Sequence, residues 1–195
     1  ALLATNTSSM RISDISEAVS NPERFVGLHF FNPVPKMKLV EVVQGRQTDP
    51  ACMNLLSQFV SKIKKVPVTV LKDSPGFIVN RINAPNQALM NAILDEGKIK
   101  PDEIDASVKL MGLPMGPFEL ADFVGLDVFC HTLDYYAETL SSEYAPGKFV
   151  SELVAGGRLG MKSGQGIYAW DGETAQIDVS NPCEEITPKE FLAIQ

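Results

Sequence analysis

Two apolar runs near the start of the chain each contain one titratable side chain. The segment reads VGLHFFNPVPKMKLVEVVQG, residues 26–45, with His29 in the first run and Glu41 in the second. An unpaired carboxylate costs several kcal/mol to bury, so any fold that buries both runs must give Glu41 a partner. His29 is the nearest candidate in the sequence.

The two runs, FVGLHFF and KLVEVV, are rich in β-forming residues, and the intervening NPVPKM has two prolines that favour a turn. This pattern predicts adjacent antiparallel strands in which His29 and Glu41 lie across from each other on one face. The carboxylate would then fix the imidazole tautomer and leave the other ring nitrogen as a base. Two other interpretations stay open: a structural His and Glu pair, or a Glu41 that faces solvent at a sheet edge.

Composition excludes several classes of protein. A length of 195 residues with 45% hydrophobic content suffices for one full domain or two small ones. The net charge of −7 argues against general nucleic-acid binding. The three cysteines include no CxxC pair, so we predict neither a disulfide framework nor a metal site. The same cysteine pattern indicates a reducing, cytoplasmic location. No apolar run reaches about 18 residues, so no membrane span is predicted, and the opening residues lack the cationic leader of a signal peptide.

Strand and helix signals alternate up to residue 72, as in one half of a layered α/β domain. The helices predicted there are DISEAVSNPERF, with Asp14 and Glu17 as a capping pair, and a second one that begins at Asp49. After KDSPG the pattern is helical throughout, with a bend expected at Pro85. We therefore predict domains over residues 1–72 and 73–171, followed by a linker or tail over 172–195.

Five segments in this order, NTSS, RFVGLHFFNPVPKMKLVEVV, DSPGFIVNR, GLPMGPFELADFVGLDV and GMKSGQGIYAW, resemble the second half of L-3-hydroxyacyl-CoA dehydrogenases. The resemblance covers residues 1 to 171. It implies the C-terminal part of a Rossmann-type NAD-binding domain followed by an all-α substrate and dimerisation domain. The implied activity is oxidation of (3S)-3-hydroxyacyl-CoA to 3-oxoacyl-CoA with NAD in fatty-acid β-oxidation. A homodimer is also implied, and some members are fused to an enoyl-CoA hydratase.

The resemblance assigns roles to single residues. It implies that His29 is the general base and that Glu41 orients it. Ser8 matches the family serine between the substrate hydroxyl and the nicotinamide, and Asn80 matches the asparagine near the substrate thioester. Taken alone, Ser8 is a turn residue at a strand end, and Asn80 is a polar residue on an otherwise apolar helix.

Two further residues match family positions near the cofactor, Asn32 and Lys162. Without the resemblance, Asn32 is a turn residue before Pro33 and Lys162 is a solvated charge. GQGIYA, residues 164–169, fits the string G-x-G-x-x-A, but no strand leads into it and too little chain follows to form a βαβ unit, so we reject it as a nucleotide site. His131 is interpreted as a packing or surface residue.

Complete family members begin with a strand, a glycine-rich turn and a helix that bind the NAD pyrophosphate. This sequence shows no such unit, so we expect most of the N-terminal NAD-binding region to be missing and the isolated chain to be inactive, with weak NAD affinity. A rival dehydrogenase of the 3-hydroxyisobutyrate type would place a lysine at the catalytic centre. The alternative from another class is a noncatalytic helical module that binds acyl-CoA or a partner protein.

Overall fold

The computed structural model describes residues 1–177. The chain forms two compact units, one over residues 1–85 and one that begins at Asn86. The first unit holds a sheet and its helices, and the helix α3 runs from the first unit into the second. The elements up to α3 are β1 (Leu3–Thr5), α1 (Ile12–Ser16), β2 (Phe25–Phe30), β3 (Leu39–Val43), α2 (Pro50–Lys62), β4 (Val66–Val70) and α3 (Val79–Glu96).

The sheet of the first unit has the order β1-β2-β3-β4. β1 and β2 are parallel, β2 and β3 are antiparallel, and β3 and β4 are parallel again. The predicted antiparallel pair is therefore confirmed, and its register places His29 directly opposite Glu41. This mixed sheet is the α/β layer that the first part of the sequence predicts.

Each face of the sheet has its own apolar layer. Val26, Leu28, Val40 and Val42 face α2. Alternate residues of the same strands, Phe25 and Val43, pack on the other face against Ile12 and Phe77. Because side chains alternate along a strand, His29 and Glu41 belong to this second face, which α1 and the segment before α3 cover.

Helix α2 follows its sequence signals closely. The side chain of Asp49 accepts a hydrogen bond from the amide of Ala51 at 2.8 Å, and Pro50 occupies the first helical position. Its buried face consists of Cys52, Met53, Leu56 and Val60. The apolar spacing of about 3.6 residues thus predicts both the helix and the side that packs on the sheet.

Helix α1 differs from the prediction. It spans Ile12–Ser16, so Asp14 lies within the helix instead of capping it. The cap comes from Asp73, whose two carboxylate oxygens accept hydrogen bonds from the amides of Ile12 and Ser13 at 2.9 and 2.6 Å. A partner 60 residues away along the chain leaves no local signal, and this is why the predicted capping pair was wrong.

The second unit is helical, as expected. Its core contains Leu94, Phe118, Leu126, Val150 and Tyr168. α3 contains Pro85 within the helix and ends before Gly97, which has a φ of +63°. The remaining elements are α4 (Pro101–Leu110), α5 (Pro117–Val124), α6 (Leu126–Thr139), α7 (Lys148–Ala155) and a hairpin of β5 (Ala169–Asp171) and β6 (Thr174–Gln176).

The compact units of the structure have other bounds than the predicted domains, which stay predictions. The first unit extends to Pro85 instead of residue 72, because the beginning of α3 is hydrogen-bonded to the sheet, as described below. The strand β6 lies within the segment predicted as a tail from residue 172. The rest of that predicted tail, from residue 178 onward, lies outside the described residues.

Candidate active site

The predicted pair forms at the centre of the sheet's second face. Nδ1 of His29 lies 2.7 Å from Oε2 of Glu41, and the exposed fractions of the two residues are 5% and 0%. The strand register brings the two side chains together without any contribution from loops. The structure therefore brings His29 and Glu41 together as the sequence predicts and excludes a Glu41 that faces solvent.

The second oxygen of Glu41 binds the start of α3. Oε1 accepts hydrogen bonds from the backbone amides of Ile78 and Val79, at 3.0 and 3.1 Å. Burial alone would raise the pKa of Glu41. The hydrogen bonds from His29, Val79 and Ile78 outweigh that effect, so the pKa lies below its ordinary value. Glu41 is therefore ionised near neutral pH.

An ionised Glu41 determines the tautomer of His29. The carboxylate only accepts hydrogen bonds, so Nδ1 of the imidazole carries a proton, and in the neutral ring the lone pair lies on Nε2. The rings of Phe31 and Phe77 lie near the imidazole, with centroid distances of 4.4 and 5.8 Å. Phe77 has a φ of +54°, a backbone conformation that is uncommon for a residue other than glycine. His29 thus lies near two aromatic rings, and Nε2 is the ring nitrogen that is left to act as a base.

Ser8 and Asn80 are brought together in the first unit. Nδ2 of Asn80 donates a hydrogen bond to the backbone oxygen of Ser8 at 2.9 Å, and the amide of Gly76 donates one to the oxygen of Ser9 at 2.9 Å. The segment that follows β1 is therefore tied to the segment that begins α3. Ser8 itself is exposed. The contact between Asn80 and Ser8 was not predicted from the sequence.

The structure does not group Asn32 and Lys162 with a common partner. Asn32 is exposed in the connection between β2 and β3. Lys162 lies in the second unit, in a short 3-10 turn over Met161–Ser163, where its ammonium group forms an ion pair with Asp127. The hydrogen bond from Lys162 lowers the pKa of Asp127. Lys162 is therefore a paired charge and not the solvated one that the residue alone suggests.

The segment GQGIYA has a structural role in the second unit. The amides of Ile167 and Tyr168 each donate a hydrogen bond to the carboxylate of Asp122 at 2.9 Å, and Nε1 of Trp170 donates another at 3.0 Å. Amides that are already bound to a carboxylate are not available to a pyrophosphate. These contacts support the rejection of this segment as a nucleotide site.

Sequence reasoning missed the binding of Glu41 to α3. The donors are backbone amides, which every residue except proline carries, so residue type gives no signal. The one available hint is the pattern SPGF before α3, which predicts a helix start and hence amides in need of an acceptor.

Within residues 1–177, metal-ligating side chains do not gather in groups of three or more.

Comparison with known proteins decides the family. Residues 1–74 match the family model described as "3-hydroxyacyl-CoA dehydrogenase, NAD binding domain", and residues 76–170 match "3-hydroxyacyl-CoA dehydrogenase, C-terminal domain". The chain belongs to the 3-hydroxyacyl-CoA dehydrogenase family. Within this family, His29 and Glu41 lie in the part that matches the NAD-binding domain, and Lys162 lies in the part that matches the C-terminal domain.

Individual relatives agree with this assignment. The chain is 45% identical over 179 residues to 3-hydroxyadipyl-CoA dehydrogenase of Escherichia coli, a match that covers 90% of the chain and 38% of the relative. It is 42% identical over 174 residues to the human mitochondrial hydroxyacyl-coenzyme A dehydrogenase, and this match covers 87% of the chain and 54% of the relative. A crystal structure of (S)-3-hydroxybutyryl-CoA dehydrogenase from Ralstonia eutropha superimposes with a TM-score of 0.79 at 40% identity. The superposition covers 87% of this chain and 60% of that structure's chain. The chain thus spans about half the length of the curated relatives it matches.

Proposed function

We propose that this chain supplies the catalytic base of an NAD-dependent enzyme that oxidises (3S)-3-hydroxyacyl-CoA to 3-oxoacyl-CoA in fatty-acid β-oxidation. The observation that carries the proposal is the 2.7 Å hydrogen bond between His29 and the fully buried Glu41. A buried, ionised carboxylate on one imidazole nitrogen is the arrangement that a general base needs. The reducing cytoplasm is the proposed location, and the two described cysteines, Cys52 and Cys130, are free thiols.

The residues at the carboxyl ends of β1 and β2 fit the nicotinamide end of NAD. The two strands are parallel neighbours, so the segments that follow them meet at one edge of the sheet. Ser8 and Asn32 are exposed there and offer a hydroxyl and an amide, which suit the uncharged carboxamide of nicotinamide. We propose that both contact the cofactor and that Lys162, as the resemblance implies, is a further cofactor-binding residue. Bound NAD would supply the hydride acceptor.

The proton step follows from the tautomer of His29. Nε2 accepts the proton of the substrate 3-hydroxyl, while the hydrogen on the same carbon leaves as hydride and the carbon–oxygen bond becomes a carbonyl. The positive charge that develops on the imidazole is stabilised by Glu41 at its other nitrogen. Ser8 would hydrogen-bond the substrate oxygen, and Asn80 would hold the thioester region.

We also propose that the chain by itself binds NAD weakly and does not turn over. The described residues show no strand followed by a glycine-rich turn and a helix, and these provide the amides that hold a pyrophosphate. Isothermal titration with NAD tests this proposal directly. Tight, stoichiometric binding to the 195-residue chain would contradict it.

The activity itself is tested by adding that unit. A segment from a complete family member that contains the strand, the glycine-rich turn and the helix can be joined to the start of this chain, and NADH formation from (S)-3-hydroxybutyryl-CoA measured. We expect turnover that the change His29→Gln abolishes. A folded fusion that binds NAD and acyl-CoA without turnover would favour the noncatalytic, acyl-CoA-binding alternative.

We propose, finally, a homodimer formed through the helical unit. Large apolar side chains are exposed in and after α4, among them Leu110 at 85%, Met111 at 78% and Leu113 at 51%. An apolar surface of this kind marks a protein contact more often than a solvated face.

A further inference from the structure

Five lysines gather at one end of the sheet in the first unit. We call them the lysine patch: Lys36, Lys38, Lys62, Lys64 and Lys65. The Nζ atom of Lys65 donates hydrogen bonds to the backbone oxygens of Val34 and Met37, at 2.6 and 2.7 Å. The amide of Val66 donates to the oxygen of Lys38 at 2.8 Å. The turn before β3 and the connection from α2 to β4 are therefore in direct contact.

The charge of the lysine patch is not neutralised by neighbouring carboxylates. Among the ion pairs of residues 1–177, none includes a member of the patch, whereas Lys98, Lys109, Lys148 and Lys162 each pair with an acidic residue. Residues 24–40 and 50–72 contain no aspartate or glutamate at all. A protein with a net charge of −7 thus concentrates unpaired positive charge on one small surface.

Apolar side chains are interleaved with these lysines. Val34, Met37 and Ile63 are each 41% exposed, and Val66 is 53% exposed. Each lies within two residues of a member of the lysine patch in the sequence. Exposed cations with apolar side chains between them are typical of surfaces that lie at a membrane interface, where lysines meet anionic headgroups and apolar groups enter the acyl boundary.

We propose that the lysine patch, with Val34, Met37, Ile63 and Val66, binds the surface of a bilayer that contains anionic lipid. A small anion is a poorer fit, because small-ligand sites are concave. The cavity of about 370 Å³ in this unit is lined by other residues, including Arg11, Arg46 and Lys72. The charge complementarity and the interleaved apolar groups suit an extended anionic surface. The described helices include none that could cross the membrane, so binding is peripheral.

The test is co-sedimentation of the chain with phosphatidylcholine vesicles that contain or lack phosphatidylserine. We expect binding only with phosphatidylserine, weakened as NaCl is raised, because salt screens exposed charges. Each lysine near an anionic surface increases partitioning about fivefold. The triple change Lys36→Gln, Lys62→Gln and Lys64→Gln should therefore weaken binding about a hundredfold. Lys65 is left unchanged because it holds the turn.

A matched control removes the same charge elsewhere. The triple change Lys98→Gln, Lys100→Gln and Lys148→Gln alters exposed lysines of the second unit and should leave vesicle binding within a fewfold of the unchanged chain. Circular dichroism verifies that both variants are folded. Equal binding by the two triple variants would overturn the proposal. The absence of binding to phosphatidylserine vesicles would also overturn the proposal, even if the same lysines bound free CoA.

Discussion

Glu41 serves two segments of the first unit at once. One oxygen accepts from His29, and the other accepts from the amides of Ile78 and Val79. The carboxylate has no exposed surface, so each of these donors would be left without an acceptor if it were removed. The side chain that we propose orients the base therefore also fixes the beginning of α3.

We predict that Glu41→Gln lowers both turnover and stability. A glutamine oxygen cannot accept from both His29 and the α3 amides, and an amide stabilises a developing imidazolium poorly. In the NADH assay of the fusion protein, we expect kcat to fall about a hundredfold, with KM changed much less. We expect the free energy of unfolding to fall by about 2–4 kcal/mol, measured by urea titration.

The matched control is Glu23→Gln, which makes the same chemical change at an exposed position. It should leave kcat and stability unchanged within error. If Glu41→Gln weakened acyl-CoA binding and left kcat intact, Glu41 would not be acting through the base.

At the scale of elements, local signals predict some helices well and others poorly. α2 has its N-cap, its first proline and its apolar spacing within its own sequence, and its predicted start is confirmed. α1 depends on Asp73 for its cap, and α3 depends on Glu41 for its first amides. The positions of His29 and Glu41 were predictable because strand alternation and a short turn fix the register. Contacts between a side chain and a distant backbone amide could not be predicted, since the backbone carries no residue-specific signal.

The loop before β5 is organised around Asp122. Its carboxylate accepts the three hydrogen bonds described above. Two glycines, Gly160 and Gly166, also approach Asp122 closely. A Cβ atom at Gly166 would lie 2.3 Å from Oδ1 of Asp122, and one at Gly160 would lie within 2.1 Å of its backbone oxygen. Close packing on a buried carboxylate thus explains Gly160 and Gly166, whereas a Cβ at Gly164 would meet no atom within 4 Å.

We predict that Gly166→Ala destabilises the second unit by about 2–4 kcal/mol, because the new methyl group must displace Asp122 and break its hydrogen bonds. Gly156→Ala is the matched control, since a Cβ there meets its nearest atom at 3.4 Å, an ordinary contact. It should change stability by less than about 0.5 kcal/mol. Equal stability of the two variants in thermal unfolding would show that the loop can relax around a side chain.

At the scale of the whole molecule, the exposed apolar residues of the helical unit predict self-association. We expect the chain to sediment as a dimer at micromolar concentration and Leu110→Glu to shift it to a monomer, because a charge would be buried in the contact. Leu71→Glu is the control, since Leu71 is 74% exposed but lies in the first unit. A wild-type chain that sediments only as a monomer would remove the dimer proposal.

Glu41 and Asp105 should contribute to the pH dependence of stability with opposite signs. The pKa of Glu41 is below its ordinary value of 4.5, so its contribution to stability is present above that value and is lost as pH falls through the folded-state pKa. Burial raises the pKa of Asp105 above 3.8, although the amides of Phe118 and Glu119 and the hydroxyl of Tyr168 partly offset it. Its contribution is therefore lost as pH rises through the folded-state pKa.

Urea titrations between neutral pH and about pH 4 test this difference. We expect Glu41→Gln to reduce the acid sensitivity of the first unit, and Asp105→Asn to remove a gain in stability of the second unit on acidification. If the two substitutions changed the pH dependence of stability with the same sign, the assignment would be contradicted.

The position of Trp170, which donates a hydrogen bond to Asp122, has a consequence for fluorescence measurements. Trp170 is the chain's single tryptophan, and its four tyrosines, Tyr135, Tyr136, Tyr144 and Tyr168, also lie in the second unit, while residues 1–85 contain neither type. Fluorescence excited in these chromophores therefore reports only on the helical unit, and the sheet of the first unit gives no signal by this probe. Far-ultraviolet circular dichroism reports on both. A gap between the two unfolding curves would measure how independently the sheet that holds His29 loses its structure.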